Sequence, residues 1–244
     1  MTLIFGHRGA AGTFPENTML SFDAAIQAGA HGIELDVQMT NDGVIVVIHD
    51  ETVDRTTNGK GFIKDLDYKE ITMLDASDSF PQFSGKARIP TLEEVLAWAV
   101  TNPSILVNIE LKNGIIEYPE LEEKTIELIS EYKLEDRVIL SSFNHYSLVK
   151  CKSISNNIKT AILYMEGLYK PWEYAQSIGA QGLHPYFHAA KSPIVYEAQS
   201  CGIDVRPFTV NDPLVMKQMF SDSVAAIITD FPERAIELYN DKKE

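Results

Sequence analysis

From Pro90 to the C-terminus the chain repeats one unit, a short segment rich in β-branched and aliphatic residues followed by a helical pattern. Such alternation specifies a parallel sheet with right-handed crossovers, because parallel neighbours cannot be joined by a tight turn. Nine strand-like segments are read along the chain, at 3–7, 32–39, 44–48, 105–111, 138–142, 160–164, 181–186, 205–209 and 225–229. The second and third are separated only by Thr40-Asn41-Asp42-Gly43, too short for a crossover, so they are expected to pair antiparallel. Setting the return strand aside leaves eight, which points to an α/β fold of the (β/α)8 barrel type. With 244 residues and 45% hydrophobic content, the chain suits one barrel of roughly 250 residues better than two small domains.

Helix starts support the alternation. Ser192-Pro193, Asp212-Pro213 and Pro232 place proline at the first helical position, and Thr91-Leu92-Glu93-Glu94 reads as a capping box. No linker or repeat marks a boundary, so a single domain over residues 1–244 is expected. Residues 51–89 break the pattern: they carry Gly59, Gly61, Pro81 and Gly85, with a brief helical stretch at 68–74. They are expected to form an insertion over the barrel mouth, serving as a lid or as passive structure.

Composition excludes several function classes. A formal charge of -14, from 35 acidic against 21 basic residues without a basic cluster, repels nucleic acid and anionic membrane. No apolar run is long enough for stable membrane insertion, and MTLIFGHRG lacks a basic leader, so a cytoplasmic protein is expected. Cys151 and Cys201 form no C-x-x-C pair, which disfavours a zinc site or a disulfide scaffold.

The chemistry concentrates at strand ends. Glu34 and Asp36 lie two apart and share one face of a strand, while Ile33, Leu35 and Val37 take the other. If the apolar set meets the helices, the carboxylates turn into the barrel, and Glu110 repeats the arrangement with Lys112 on its side. Three inward carboxylates repel one another and lose hydration. One hard divalent cation, Mg2+ or Ca2+, would neutralise them through oxygen ligands; simple pairing with Arg8 and Lys112 is the alternative.

His7 ends the first strand and His49 ends the return strand. A turn centred on Asn41-Asp42 gives a ladder whose partners sum to 83, placing His49 opposite Glu34. Two imidazoles beside the carboxylates can supply a general acid and a general base near neutral pH. The planar fork of Arg8 suits two phosphoryl oxygens, with Lys112 as a second cation; a plain strand-end salt bridge is the competing role for Arg8. His184 can be imagined reaching the mouth, and Phe208 offers an apolar wall for a substrate or an ordinary core ring.

Taken in order, His7-Arg8-Gly9, Pro15-Glu16-Asn17-Thr18, Glu34-Leu35-Asp36-Val37, His49-Asp50, Arg55-Thr56-Thr57-Asn58-Gly59, Ile89-Pro90-Thr91-Leu92-Glu93-Glu94, Ile109-Glu110-Leu111-Lys112 and Ile228-Thr229-Asp230 resemble the glycerophosphodiester phosphodiesterase family across almost the whole chain. The resemblance implies a distorted TIM barrel with an insertion after His-Asp. It also implies metal-dependent hydrolysis of a small-molecule glycerophosphodiester to sn-glycerol 3-phosphate and an alcohol. On it, His7 and His49 match the acid–base pair, Glu34, Asp36 and Glu110 the metal ligands, and Arg8 and Lys112 the phosphate contacts. Many relatives carry Trp where this chain has Phe208, which removes an indole N–H from the wall. Two alternatives stand beside this expectation: a lysophospholipase D or phospholipase-type phosphodiesterase acting on lipid, and an inert glycerophosphodiester-binding protein.

Overall fold

The computed structural model describes residues 1–241, so the final three residues of the expected 1–244 domain lie outside the described residues. The elements run β1 (Leu3–His7), α1 (Met19–Gln27), β2 (Gly32–Met39), β3 (Ile45–Val47), α2 (Tyr68–Ile71), α3 (Leu92–Thr101), β4 (Leu106–Leu111), α4 (Leu121–Glu131), β5 (Val138–Ser142), α5 (His145–Ile154), β6 (Lys159–Tyr164), α6 (Pro171–Ser177), β7 (Gly182–Pro185), α7 (Ser192–Ser200), β8 (Asp204–Val205), α8 (Pro213–Ser221), β9 (Ala226–Thr229) and α9 (Pro232–Asp241).

Eight strands follow one another round the sheet in the order β8-β7-β6-β5-β4-β2-β1-β9, all parallel, with β3 attached to β2 outside this path. The seam between the two ends is bridged by backbone hydrogen bonds from Ala225 to Val205 and from Ile228 to Pro207, both 3.0 Å, so the barrel is nearly closed. The β8 segment is shorter than the five residues expected. Pro207 has no N–H to donate, and pairing runs on either side of it through Arg206 and Phe208, whose N–H groups bond the carbonyls of Leu183 and Pro185.

The β2–β3 hairpin corrects the expected register. Val37 pairs with Val47 and Met39 with Ile45, so partners sum to 84 and His49 does not lie opposite Glu34. The loop holds three residues rather than two: Thr40 and Val44 close it with a 3.0 Å backbone bond, and Gly43 takes the left-handed φ of 81° that such a loop requires.

Ile33, Leu35 and Val37 are fully buried in a core cluster with helix residues such as Phe22, Val95 and Leu121. The opposite face of the strands fills the lumen, where Phe5, Ile139, Ala161 and Ile228 make a separate apolar layer. The capping box at Thr91 and Glu94 is formed, and Pro213 and Pro232 open their helices; Pro193 stands second because Ser192 opens α7. Segment 51–89 has a small core of its own, with Val53, Ile63 and Ile71 packed on Val46 and Ile48 of the hairpin. Among the described residues, no helix is long and apolar enough to cross a membrane.

Candidate active site

The register of three neighbouring strands assembles the carboxylates. His7 is the Cα partner of Glu34 across β1 and β2, and Asp36 is the partner of Glu110 across β2 and β4. All three acids therefore rise on the lumen side toward the strand ends, the face where barrels of this type carry their chemistry. Each offers an oxygen within 4.8 Å of the others, and all three are buried.

Like charges so close suppress ionisation. Burial, then Asp36 and Glu110, raise the Glu34 pKa well above the ordinary glutamate value. Burial and Asp36 push Glu110 up to about 7, even though Lys112 opposes them. Burial would also raise Asp36, but Arg8, His49 and Lys112 hold it below the usual value. The positive groups are present, with Lys112 Nζ 3.0 Å from Glu110 and Arg8 Nε 3.3 Å from Asp36. They leave Glu34 without a basic side chain of its own: it accepts the Arg8 backbone N–H at 3.0 Å, and its nearest imidazole nitrogen is 3.9 Å away. A buried, all-oxygen triad whose two glutamates resist ionisation beside two basic side chains is a donor set that fits a hard divalent cation.

Both histidines flank the triad with one nitrogen fixed. His7 Nδ1 donates to Asp230 Oδ1 at 2.7 Å, which turns Nε2 toward Glu34. Asn211 braces Asp230 by donating to its other oxygen and accepting its backbone N–H at 3.0 Å. His49 Nδ1 donates to Asp50 Oδ1 at 2.7 Å, while Lys112 Nζ donates to Nε2 at 3.2 Å. Lysine can only donate, so this contact requires a neutral His49 with a lone pair on Nε2. Burial lowers the His49 pKa, which agrees with that form, although Asp36 and Asp50 pull the other way.

Arg8 has a left-handed φ of 50° and is followed by Gly9 at 83°, where a side chain would collide with Ser21; this turn swings the guanidinium back over the triad. Nη1 donates to Glu16 at 2.8 Å. The buried Nε lies 3.3 Å from Asp36 without an aligned hydrogen bond, so that contact is an ion pair alone.

Three supporting residues receive no role in the sequence reading, although Asn17 and Asp230 stand in motifs quoted there. Gln38 is fully buried two places beyond Asp36; its amide donates to the carbonyls of His49 and Asp50, and its oxygen accepts Tyr118 Oη at 2.7 Å. This contact, rather than the ladder register, holds the His49 backbone beside the site. Asn17 donates to Asp36 at 2.8 Å, and Asp230 orients His7. Gln38 continues the inward period-two pattern of Glu34 and Asp36, a signal that periodicity contains; the motif Ile228-Thr229-Asp230 marks Asp230, but its pairing with His7 spans the chain. Of the weaker candidates, half-buried Phe208 stands edge-on to Phe143 with ring centroids 6.0 Å apart. His184 does not reach the mouth: it is 0% exposed on β7, close to the buried Arg206 charge.

Comparison with known proteins identifies the family of this barrel. The Glycerophosphoryl diester phosphodiesterase family matches residues 7–234. A glycerophosphodiester phosphodiesterase of Caldanaerobacter subterraneus subsp. tengcongensis is 47% identical, over 97% of each chain. One from Bacillus altitudinis is 45% identical over the full length of both. Among solved structures, an Oleispira antarctica phosphodiesterase in complex with the product sn-glycerol-3-phosphate superposes with a TM-score of 0.86 at 28% identity, covering 98% of this chain and 97% of that one. The chain belongs to the glycerophosphoryl diester phosphodiesterase family, and it is an enzyme of the phosphoric diester hydrolase class.

Proposed function

We propose that the protein hydrolyses glycerophosphodiesters to sn-glycerol 3-phosphate and a free alcohol, with His7 and His49 as the acid–base pair. In this reading Glu34, Asp36 and Glu110 hold one Mg2+ or Ca2+ ion. The observation that carries it is the placement of the triad between two imidazoles whose Nδ1 atoms are both held by carboxylates. The product bound in the Oleispira relative supplies the substrate class.

Arg8 and Lys112, each with a partly exposed side chain beside the triad, bind the phosphoryl oxygens. The cation, when bound, supplies Lewis-acid polarisation of the phosphate and relieves repulsion among the three acids. One imidazole removes the proton of the attacking hydroxyl as the new P–O bond forms. The other delivers a proton to the leaving alkoxide as its P–O bond breaks. With the glycerol 2-hydroxyl as nucleophile, the product is a cyclic phosphate and the two histidines exchange roles when water opens it. With water as nucleophile, one step completes the reaction. A cavity of about 330 Å³ lined by Glu51, Lys112, Ile115 and Phe143 adjoins Glu110 and offers room for the departing alcohol.

A second reading, hydrolysis of a lysolipid, draws on the exposed side chains of Ile115, Tyr146 and Tyr169, which follow β4, β5 and β6 on the mouth side. Assays of sn-glycerol 3-phosphate release from glycerophosphocholine, glycerophosphoethanolamine and glycerophosphoglycerol, run beside choline release from lysophosphatidylcholine, separate the two. Turnover of the soluble diesters supports the first reading. Turnover confined to the lysolipid replaces it with the second.

A further inference from the structure

We propose that Arg55, on the inserted segment and outside the acid–base pair, is a positioning residue that ties His49 to Arg8. The inference rests on the catalytic assignment proposed above. Arg55 holds two carboxylates at once. Nε and Nη2 donate to Asp50 at 2.7 and 3.0 Å, and Nη1 and Nη2 donate to Glu16, both at 2.8 Å. Each carboxylate also grips one member of the machinery: Asp50 takes Nδ1 of His49, and Glu16 takes Nη1 of Arg8. The result is a continuous chain, His49–Asp50–Arg55–Glu16–Arg8, running from the proposed acid–base group to the proposed phosphate-binding group. With both sides of its fork engaged, Arg55 has the geometry of a brace rather than of a substrate ligand.

Each end of the brace needs it for a different reason. Asp50 is half-exposed, and an unrestrained carboxylate one residue from His49 could swing to solvent and release the imidazole. Glu16 lies in the loop between β1 and α1, three residues before the helix begins, and its other cationic partner, Arg8, sits on a strained turn. The side chain of Arg55 is 45% exposed, a location where an ion pair contributes little to stability. Its value therefore lies in geometry, where displacement of a reacting group by about 1 Å can cost on the order of 100-fold in rate.

The test is a kinetic cycle on the full chain with a soluble glycerophosphodiester. Asp50→Asn acts through His49 and is expected to lower kcat chiefly, whereas Glu16→Gln acts through Arg8 and is expected to raise KM chiefly. Arg55→Ala is expected to do both, each by about 10-fold. The Arg55→Ala/Asp50→Asn double variant is expected to have a kcat within about twofold of Asp50→Asn alone, because both changes break one linkage. Arg55→Lys, a single point charge, is expected to recover only part of each loss. If Arg55→Ala fails to fold, the combined kcat and KM effect is read from Arg55→Lys. Unchanged kcat and KM with only a lower Tm, or losses that multiply in the double variant, overturn the proposal. A dead His49→Ala beside a fully active Arg55→Ala sinks this inference alone, and a fully active His49→Ala sinks the catalytic assignment beneath it.

Discussion

His7 and Asp230, 223 residues apart in sequence, are joined by a 2.7 Å hydrogen bond from imidazole Nδ1 to carboxylate Oδ1. The contact joins the end of β1 to the residue after β9, so pairing of the first and last strands also fixes one ring of the proposed acid–base pair. Asp230 stays ionised: burial opposes this, but the bonds from His7 and Asn211 hold its pKa low. Asp230→Ala frees the ring and is expected to lower kcat by about 10–100-fold with little change in KM. Steady-state kinetics check this, and an unchanged kcat contradicts a positioning role.

The acidic triad makes cation binding a proton exchange. Glu110 at about 7 and the raised Glu34 retain protons that an arriving ion must displace. Calcium or magnesium binding at about pH 6 is therefore expected to release protons and to strengthen as pH rises. Calorimetry in buffers of different ionisation enthalpy measures the release, and pH-independent binding without it contradicts this description.

The same shift has a stability sign. A carboxyl whose folded pKa lies above its unfolded value binds more protons when folded. For Glu110 the contribution is fully present below the ordinary value of 4.5 and is lost as pH rises through about 7. The triad is thus expected to lower the Tm of metal-free protein across that window, with saturating cation reversing the loss. Thermal melts with and without chelator read the effect directly.

Phe208 forms a wall with Phe143 and Tyr186, whose ring centroids lie 6.0 and 6.2 Å from its own. Phe208→Ala is expected to raise KM by roughly 2–10-fold, the equivalent of about 0.5–1.5 kcal/mol of ring contact. Phe208→Trp is expected to stay near the native value. Equal KM in all three proteins removes Phe208 from the substrate wall.

Much of this site is legible in the sequence because it depends on local period and order. Alternation along β2 separates Glu34 and Asp36 from Ile33, Leu35 and Val37, and strand–helix repetition supplies the barrel that brings Glu110 beside them. What is not legible depends on one-residue shifts or distant contacts. The hairpin register hinges on whether Gly43 belongs to the loop, and choosing a two-residue turn misplaces His49 by one position. The His49 backbone is then held by Gln38, whose role needs three carbonyls to converge, and His7 is oriented by an acid at the other end of the chain. His184 is misleading for a related reason: its place near a strand end suggests the mouth, but its side chain turns into the packed lumen beside Arg206.

In the proposed reaction two imidazoles act across a phosphodiester bound beside the carboxylate triad. This is tested most directly by sn-glycerol 3-phosphate release from glycerophosphocholine by native, His7→Ala and His49→Ala proteins, each with chelator and with Ca2+ or Mg2+ restored. Native turnover is expected to disappear with chelator and return with the cation, and either variant is expected to lose at least about 100-fold with the cation present. Native-like turnover by either variant, or full native activity in the presence of chelator, would contradict it.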